Sequence, residues 1–177
     1  DLAQNWNISK KDFIILLPGR LTKWKGQEKF IEALSLLIEN NNKNNFHAII
    51  LGSDQGRDVY TKKLLLLSER YRLGRKITFI KSCKEMPIAY KLADIIVSSS
   101  IEPEAFGRVA VEAQAMGKPI IASALGGSKE TVLNGKSGLL YNSEDAESLA
   151  DIISRLMEAD NNFLALMGGQ GRKNVEK

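Results

Sequence analysis

Short apolar runs alternate with longer segments of helical period along most of this chain, and this alternation strongly constrains the fold. The runs show no regular exchange of apolar and polar residues, which is typical of strands covered on both faces. We predict strands at Phe13–Leu17, Phe46–Leu51, Ile77–Ile80, Ile95–Ser98, Pro119–Ser123 and Leu139–Tyr141. Their alternation with helices predicts an α/β fold, a doubly wound parallel six-stranded sheet of Rossmann-like type with helices on both faces.

Two of the segments between these strands carry a clear apolar helical face. The residues of each face recur every three or four positions, and they are Phe30, Leu34, Leu37 and Ile38 in the first segment and Leu149, Ile152, Ile153 and Leu156 in the second. In such a sheet, ligands bind at the carboxyl ends of the strands, where loops lead into helices. We therefore expect the functional residues in the loops that follow the predicted strands.

Size and composition indicate one globular domain, which we place at residues 1–177, with 44% hydrophobic and 26% charged residues. No apolar run reaches the roughly 18 residues that a membrane-spanning helix requires. The modest net charge of +4 suits a phosphate-bearing ligand, although a mixed basic surface is the ordinary explanation, and we expect no nucleic-acid partner. Cys83 is the only cysteine and His47 the only histidine, so we predict no intramolecular disulfide, no metal site built from a cysteine cluster, and a structural role for His47.

The loop after the first strand combines glycines with cations. Gly19 and Gly26 bracket Arg20 and Lys25, and a helix is predicted to begin near Gly26. A diphosphate ligand requires fixed cations and a backbone that can approach it closely. The alternative is a solvated basic turn.

The loop after the fourth strand carries two acids and leads into a predicted helix near Phe106 and Gly107, where free amides could bind an anion. Glu104 precedes that helix and Glu112 lies within it. Since a carboxylate repels phosphate, we expect both to accept hydrogen bonds from hydroxyl groups, such as those of a ribose and a sugar. The alternative is that the acids cap the helix.

Other glycine-rich segments are weaker signals. Gly126-Gly127 forms a turn that opens a helix, whereas residues 52–56 lack the spacing of a dinucleotide-binding loop. Gly135-Lys136-Ser137 resembles the end of a phosphate loop, but Glu130 stands where that motif requires glycine. Near the carboxyl terminus, a helix is predicted to start after Gly171.

The motifs together resemble family 4 glycosyltransferases, retaining enzymes with the two-domain GT-B fold. Gly19-Arg20-Leu21-x-x-x-Lys25-Gly26 matches the first family motif, and Glu104-Ala105-Phe106-Gly107 through Glu112 matches the Glu-x7-Glu signature. Residues 115–122, Gly126-Gly127 and residues 134–140 follow in the family's order. The match runs from about Asp12 to the end and covers the second half of a typical member.

The resemblance implies a role for each matching residue. Arg20, Lys25 and Glu104 would be catalytic, since the two cations would stabilise the leaving diphosphate while Glu104 holds the transferred sugar. Gly19 would leave room for the diphosphate, and Glu112 would hold the ribose. Phe106 and Gly107 would offer backbone contacts to phosphate or sugar. The segment 79–82 would border the base through Lys81, although many members have glycine at that position.

The resemblance also implies partners for the domain. The substrate would be a nucleotide-diphospho-sugar, with no cofactor and, since no Asp-x-Asp pair occurs, no metal. An N-terminal domain absent from this chain would bind a glycan or lipid-linked acceptor, as in lipopolysaccharide synthesis. The isolated chain would then bind donor without transferring a hexose. We expect a cytoplasmic location, including the cytoplasmic face of the membrane.

Three alternatives remain at the level of the sequence. One is a non-catalytic nucleotide-binding module, which the paired cations and two glutamates disfavour. Another is a nucleotide-sugar epimerase of the same GT-B fold. A flavodoxin-like electron carrier shares only the topology, and no loop suggests a flavin site.

Overall fold

The computed structural model of the protein describes residues 2–9, 11–40 and 43–176, so the predicted domain bounds, Asp1 and Lys177, lie outside the described residues. A parallel sheet of six strands in the order β3-β2-β1-β4-β5-β6 forms the centre. The strands are β1 (Phe13–Pro18), β2 (Phe46–Leu51), β3 (Ile77–Ile80), β4 (Ile95–Ser98), β5 (Ile120–Ser123) and β6 (Gly138–Tyr141). The predicted sheet is thus confirmed, with three strand ends displaced by one residue.

Helices cover both faces of the sheet. They are α1 (Leu2–Asn5), α2 (Gln27–Glu39), α3 (Asp58–Arg70), α4 (Met86–Leu92), α5 (Arg108–Ala115), α6 (Ser128–Thr131), α7 (Ala146–Glu158) and α8 (Asn161–Val175). One apolar cluster joins the sheet to α2, α3 and α7, and the other joins it to α1, α4 and α5. Because both faces are covered, the central strands are buried throughout, as their unbroken apolar sequence predicts. None of the described helices is long and apolar enough to cross a membrane.

The predicted helical faces pack as expected. Phe30, Leu34 and Leu37 of α2 are fully buried, and Leu149 and Ile153 of α7 are buried against the same cluster. Helix α2 begins one residue after Gly26, where the sequence predicts its start. The helical period and the start of α2 therefore agree with the prediction. Helix α2 leads directly away from the loop that carries Arg20 and Lys25.

The strand order reverses between β1 and β4, which are neighbours in the sheet. Ile15 pairs with Ile95, and Leu16 pairs with Ile96. Strands β2 and β3 extend from one side of this pair, and β5 and β6 from the other. Such a switch point opens a crevice at the carboxyl edge of the sheet, because the connections that follow β1 and β4 leave it in opposite directions. The two loops that carry the cations and the glutamates therefore meet there.

The carboxyl-terminal helix differs from its prediction. Helix α8 begins at Asn161 and continues through Gly168, Gly169 and Gly171, so a start after Gly171 is wrong. A Cβ on Gly168 would lie 2.0 Å from the carbonyl oxygen of Gly117, and one on Gly171 would lie 3.0 Å from Cγ of Gln114. Two of these glycines thus permit a close helix contact, and Asp160 caps the true start by accepting the Phe163 N–H.

This packing predicts opposite effects for two adjacent glycines. Gly168→Ala should lower the free energy of unfolding by about 1–3 kcal/mol, because the new methyl group meets the backbone. Gly169→Ala, where no atom lies within 4 Å of the added Cβ, should raise it by up to about 1 kcal/mol through helix propensity. Urea denaturation of the two variants measures both values, and changes of the same sign would contradict the proposed contact.

Candidate functional site

The loop after β1 (residues 19–26, the β1 loop) and the loop after β4 (residues 99–107, the β4 loop) border one cleft at the switch point. Its volume is about 320 Å³. The lining residues are Pro18, Gly19, Arg20, Trp24, Lys25, Met86, Glu104, Arg108, Val109 and Glu112. The cleft therefore brings together all three residues predicted to be catalytic, together with Gly19 and Glu112 from the predicted binding set.

The backbone of the β1 loop is held tightly around Arg20. Gly19 has a positive φ of 146°. A Cβ on Gly52 would lie only 1.8 Å from the carbonyl oxygen of Gly19. The fully buried side chain of Gln27 donates from Nε2 to the Arg20 carbonyl oxygen at 2.8 Å. The Arg20 side chain is exposed and makes no hydrogen bond or ion pair with the described residues. The loop thus fixes the backbone of Arg20 while its guanidinium remains available.

The two loops are bonded directly to each other. The Ser99 hydroxyl donates to the Lys25 carbonyl oxygen at 3.0 Å, and the Ile101 N–H donates to that of Trp24 at 2.8 Å. Gly26 has a φ of +70°, and a Cβ there would lie only 1.8 Å from the Ser99 carbonyl oxygen. Glycine is required at this position for both reasons, and the contacts between the two loops hold the cleft together.

Lys25 and Glu104 form an ion pair across the cleft. Lys25 Nζ lies 2.8 Å from Glu104 Oε1, and the two side chains are only 13% and 12% exposed. The Ser100 hydroxyl donates to the same Oε1, and Lys25 Nζ also lies 4.5 Å from the centroid of the Trp24 ring. Oε2 of Glu104 has no partner among the described residues. A solvated basic turn is therefore wrong for Lys25.

Helix α5 starts without a side-chain cap. Gly107, with a φ of +67°, occupies the N-cap position, no acid lies in the first turn, and no side chain among the described residues accepts from the first-turn amides. Capping by the glutamates, the alternative considered from the sequence, is therefore wrong. Arg108 is instead the first helical residue, where a cation is electrostatically unfavourable. It lines the cleft and has no partner among the described residues, so an anion there would compensate both the helix end and the guanidinium.

Glu112 is held from behind the cleft by a tyrosine. The Tyr90 hydroxyl on α4 donates to Glu112 Oε2 at 2.6 Å, and Tyr90 is only 2% exposed. Burial, together with the hydrogen bond to Glu112, raises the pKa of Tyr90, so the phenol remains a donor at neutral pH. Oε1 of Glu112 has no partner among the described residues, and it is the oxygen available to a ligand.

Three predicted binding residues lie outside the cleft lining. Gly107 is buried under the start of α5, and Phe106 is 61% exposed in the β4 loop. Lys81 is exposed beyond β3, where its charge adds to the Thr61 hydroxyl and the Gly56 N–H in lowering the pKa of Asp54. From the chain segment after β3, Met86 reaches the cleft instead. The roles of Phe106, Gly107 and Lys81 thus remain predictions.

Several residues of the site were not predicted from the sequence. Ser100 could have been suspected, because it follows two other serines at the carboxyl end of a buried strand. Arg108 is a cation directly after the Glu-Ala-Phe-Gly segment, which is a visible signal. Tyr90 and Gln27 carry no such signal, since only the packing of neighbouring elements brings them to the site.

The remaining titratable candidates lie elsewhere. His47 is buried on β2, its Nε2 lies 2.7 Å from the Thr78 hydroxyl oxygen, and burial lowers its pKa. This arrangement agrees with a structural role. Among the residues that the structure describes, no group of three or more His, Cys, Asp or Glu side chains could hold a metal. A second cavity of about 440 Å³, lined in part by Arg155, Phe163 and Met167, contains none of the predicted site residues.

Comparisons with known proteins bear on this cleft. The sequence profile of the family described as Glycosyl transferases group 1 matches residues 1–174. A D-inositol 3-phosphate glycosyltransferase from Corynebacterium urealyticum is 33% identical over 156 residues, which represent 86% of this chain and 37% of that protein. The chain thus spans little more than a third of that curated relative.

Solved structures share the fold over 99% of the chain. A glycosyltransferase from Rickettsia africae superposes with a TM-score of 0.92 at 30% identity, with 45% of its chain covered. Anabaena HepE in complex with UDP-glucose superposes with a TM-score of 0.90 at 30% identity, with 46% of its chain covered. The similarity therefore extends over somewhat less than half of each of these proteins.

Proposed function

Since the chain belongs to the group 1 glycosyl transferases, we propose that its cleft binds a nucleotide-diphospho-sugar and that the domain acts in a retaining hexosyltransferase. The observation that carries this proposal is the ion pair between Lys25 and Glu104, which joins the β1 and β4 loops inside the cleft. Residues with two different assigned tasks, the leaving diphosphate and the transferred sugar, thus meet at one point. In a nucleotide-sugar, the scissile bond joins the leaving diphosphate to the transferred sugar, so this bond would lie beside Lys25 and Glu104.

The cations of the cleft suit the leaving group. Arg20 and Arg108 have no partners among the described residues, and Lys25 has further N–H groups besides the one directed at Glu104. As the bond to the sugar breaks, negative charge grows on the diphosphate oxygen. Lys25, which Glu104 holds in place, together with the two arginines and the free amides at the start of α5, would stabilise this charge. We propose that these groups take the place of a metal ion.

Glu104 suits the sugar side of the bond. Lys25 and Ser100 both bind Oε1, which fixes the carboxylate and leaves Oε2 for a sugar hydroxyl. The sugar ring gains positive charge as the bond breaks, and a nearby carboxylate stabilises that charge. Glu112 would bind the ribose through Oε1 on the opposite side of the diphosphate. This division accounts for two acids in a cleft that is otherwise suited to an anion.

For the base we propose uracil. The support is the bound UDP-glucose of Anabaena HepE, which is 30% identical to this chain. Met86 lines the cleft together with Glu112 and offers an apolar surface to a base, whereas Lys81 directly follows β3 and does not line the cleft. We propose that Lys81 borders the base from outside this lining.

The acceptor and the location remain proposals from the resemblance. We propose that a domain outside this chain supplies the acceptor site, because the chain covers 37% of a curated relative. The expected acceptor is a cell-envelope glycan or a lipid-linked sugar, and the expected location is the cytoplasm. The curated relative is named for D-inositol 3-phosphate. Transfer of sugar to that acceptor and to no envelope glycan or lipid-linked sugar would contradict the proposed acceptor class.

Donor binding should not require metal. The 177-residue chain should bind UDP-glucose in EDTA as tightly as in Mg²⁺, within about twofold, because guanidinium and ammonium groups neutralise the diphosphate. Isothermal calorimetry with UDP-, GDP-, ADP- and CMP-sugars measures this affinity and identifies the base. Binding only in the presence of Mg²⁺ or Mn²⁺ would contradict the metal-free site.

A whole-enzyme assay separates the remaining alternatives. Incubation with donor and acceptor should yield a glycoside of retained anomeric configuration. Isomerised donor without transfer would indicate an epimerase, and binding without any turnover would indicate a non-catalytic module. The paired Lys25 and Glu104 favour transfer, because a module that only binds nucleotide does not require a carboxylate at the sugar.

A further inference from the structure

The contact between Tyr90 and Glu112 has a feature that packing alone does not require. Tyr90 is only 2% exposed and belongs to the apolar cluster that also contains Ala89 of α4 and Ala110 and Ala113 of α5. Its hydroxyl donates to Oε2 of Glu112 at 2.6 Å. Tyr90 itself does not line the cleft, whereas Glu112 does. The tyrosine can therefore act on a ligand only through the glutamate.

We propose that Tyr90 is a positioning residue that orients the Glu112 carboxylate toward the ribose hydroxyls of the donor. This inference rests on the proposed function. A glutamate on the exposed face of a helix has several rotamers, and each binding event would otherwise have to select one of them. The charge-assisted hydrogen bond to Oε2 selects it in advance and leaves Oε1 for the ligand. The affinity for ribose thus depends on a residue that the ribose never contacts.

A purely structural role for the Tyr90 hydroxyl makes a different prediction. In that case its removal would change stability and would weaken all ligands of the cleft alike. Tyr141 provides the matched control, because it is also buried and its hydroxyl has no partner among the described residues. Tyr141 lies on β6 and packs in the apolar cluster on the other face of the sheet, so Tyr141→Phe removes the same atom without a link to the cleft.

The experiment is calorimetry on this chain with UDP and with 2′,3′-dideoxy-UDP, both in EDTA. Tyr90→Phe should weaken UDP binding about tenfold, since the carboxylate loses its fixed orientation. Binding of the dideoxy nucleotide should change less than about twofold, because it offers Glu112 no hydroxyl. Tyr141→Phe should bind both nucleotides as the wild type does.

A double-mutant cycle tests the route of the effect. Once Glu112 is replaced by Ala, which removes the acceptor of the Tyr90 hydroxyl, the further change Tyr90→Phe should leave the affinity for UDP within about twofold, as two residues that act as one unit are not additive. Equal losses for UDP and its dideoxy analogue, or a full tenfold loss in the Glu112→Ala background, would overturn the assignment. Failure of the wild-type chain to bind UDP would overturn the proposed function, and with it this inference.

Discussion

Lys25→Ala and Arg20→Ala should each lower kcat of the whole transferase about 100- to 1,000-fold, while the affinity for the donor falls less. Leaving-group charge is largest in the transition state, so the contacts of both cations strengthen there. Steady-state kinetics with saturating donor measure the loss. Lys23→Ala is the matched control, because Lys23 is exposed in the same loop and does not line the cleft.

The two variants should differ in stability. Lys25→Ala leaves the mostly buried carboxylate of Glu104 without its counter-charge, which should cost about 1–3 kcal/mol of unfolding free energy. Arg20 has no such partner among the described residues, so Arg20→Ala should melt as the wild type does. The double variant Lys25→Ala with Glu104→Ala should recover part of the lost stability. A rise in KM with unchanged kcat would show instead that both cations bind the ground state and the transition state equally.

Glu104→Gln and Glu112→Gln should fail in different ways, although both acids belong to one motif. Glu104→Gln should lower kcat about 100-fold with little change in UDP affinity, because the charge is needed only as the sugar becomes positive. Glu112→Gln should raise the Kd of UDP and of UDP-sugar equally, by roughly 10- to 150-fold, since the ribose does not change during the reaction.

Calorimetry with UDP, together with donor turnover, separates these outcomes. Glu102→Gln is the control, because Glu102 is exposed in the same loop and outside the cleft lining. Equal weakening of UDP binding by Glu104→Gln and Glu112→Gln would contradict the proposed division between sugar and ribose. A covalent role for Glu104 is not part of the proposal.

The sheet was predictable because its signal is local. Fully apolar runs such as Phe46–Leu51 differ in length and period from the helical face of Phe30, Leu34 and Leu37, and both patterns are fixed by burial. The strand ends carry no comparable local signal. Pro18 continues the β1–β2 pairing opposite Leu51, although the apolar pattern gives no reason to include it.

The site was predictable in its location and only partly in its contacts. The topology places the loops after β1 and β4 together, so Arg20, Lys25 and Glu104 were expected at one edge. The pairing of Lys25 with Glu104 joins residues 79 positions apart. That contact depends on side-chain rotamers and on the close approach of Gly26 to Ser99, neither of which has a sequence period. The same limit applies to Tyr90 and Glu112.

At the carboxyl-terminal glycines, a local sequence signal gave a wrong prediction of the helix start. Gly168 and Gly171 indicated a helix boundary through their low helix propensity. Tertiary packing overrides propensity there, because helix α8 approaches Gly117 and Gln114 too closely for a side chain. Local preference and packing disagree at these positions, and only the structure shows which one prevails.

The most direct test of the central claim is the position of the bound donor. Hydrogen–deuterium exchange of this chain should be compared with and without UDP-glucose, in EDTA throughout. We predict slower exchange in the β1 loop and in residues 104–113, the two segments that border the cleft. Unchanged exchange in both segments, or slowing confined to the cavity beside Phe163 and Met167, would contradict the assignment of this cleft as the donor site.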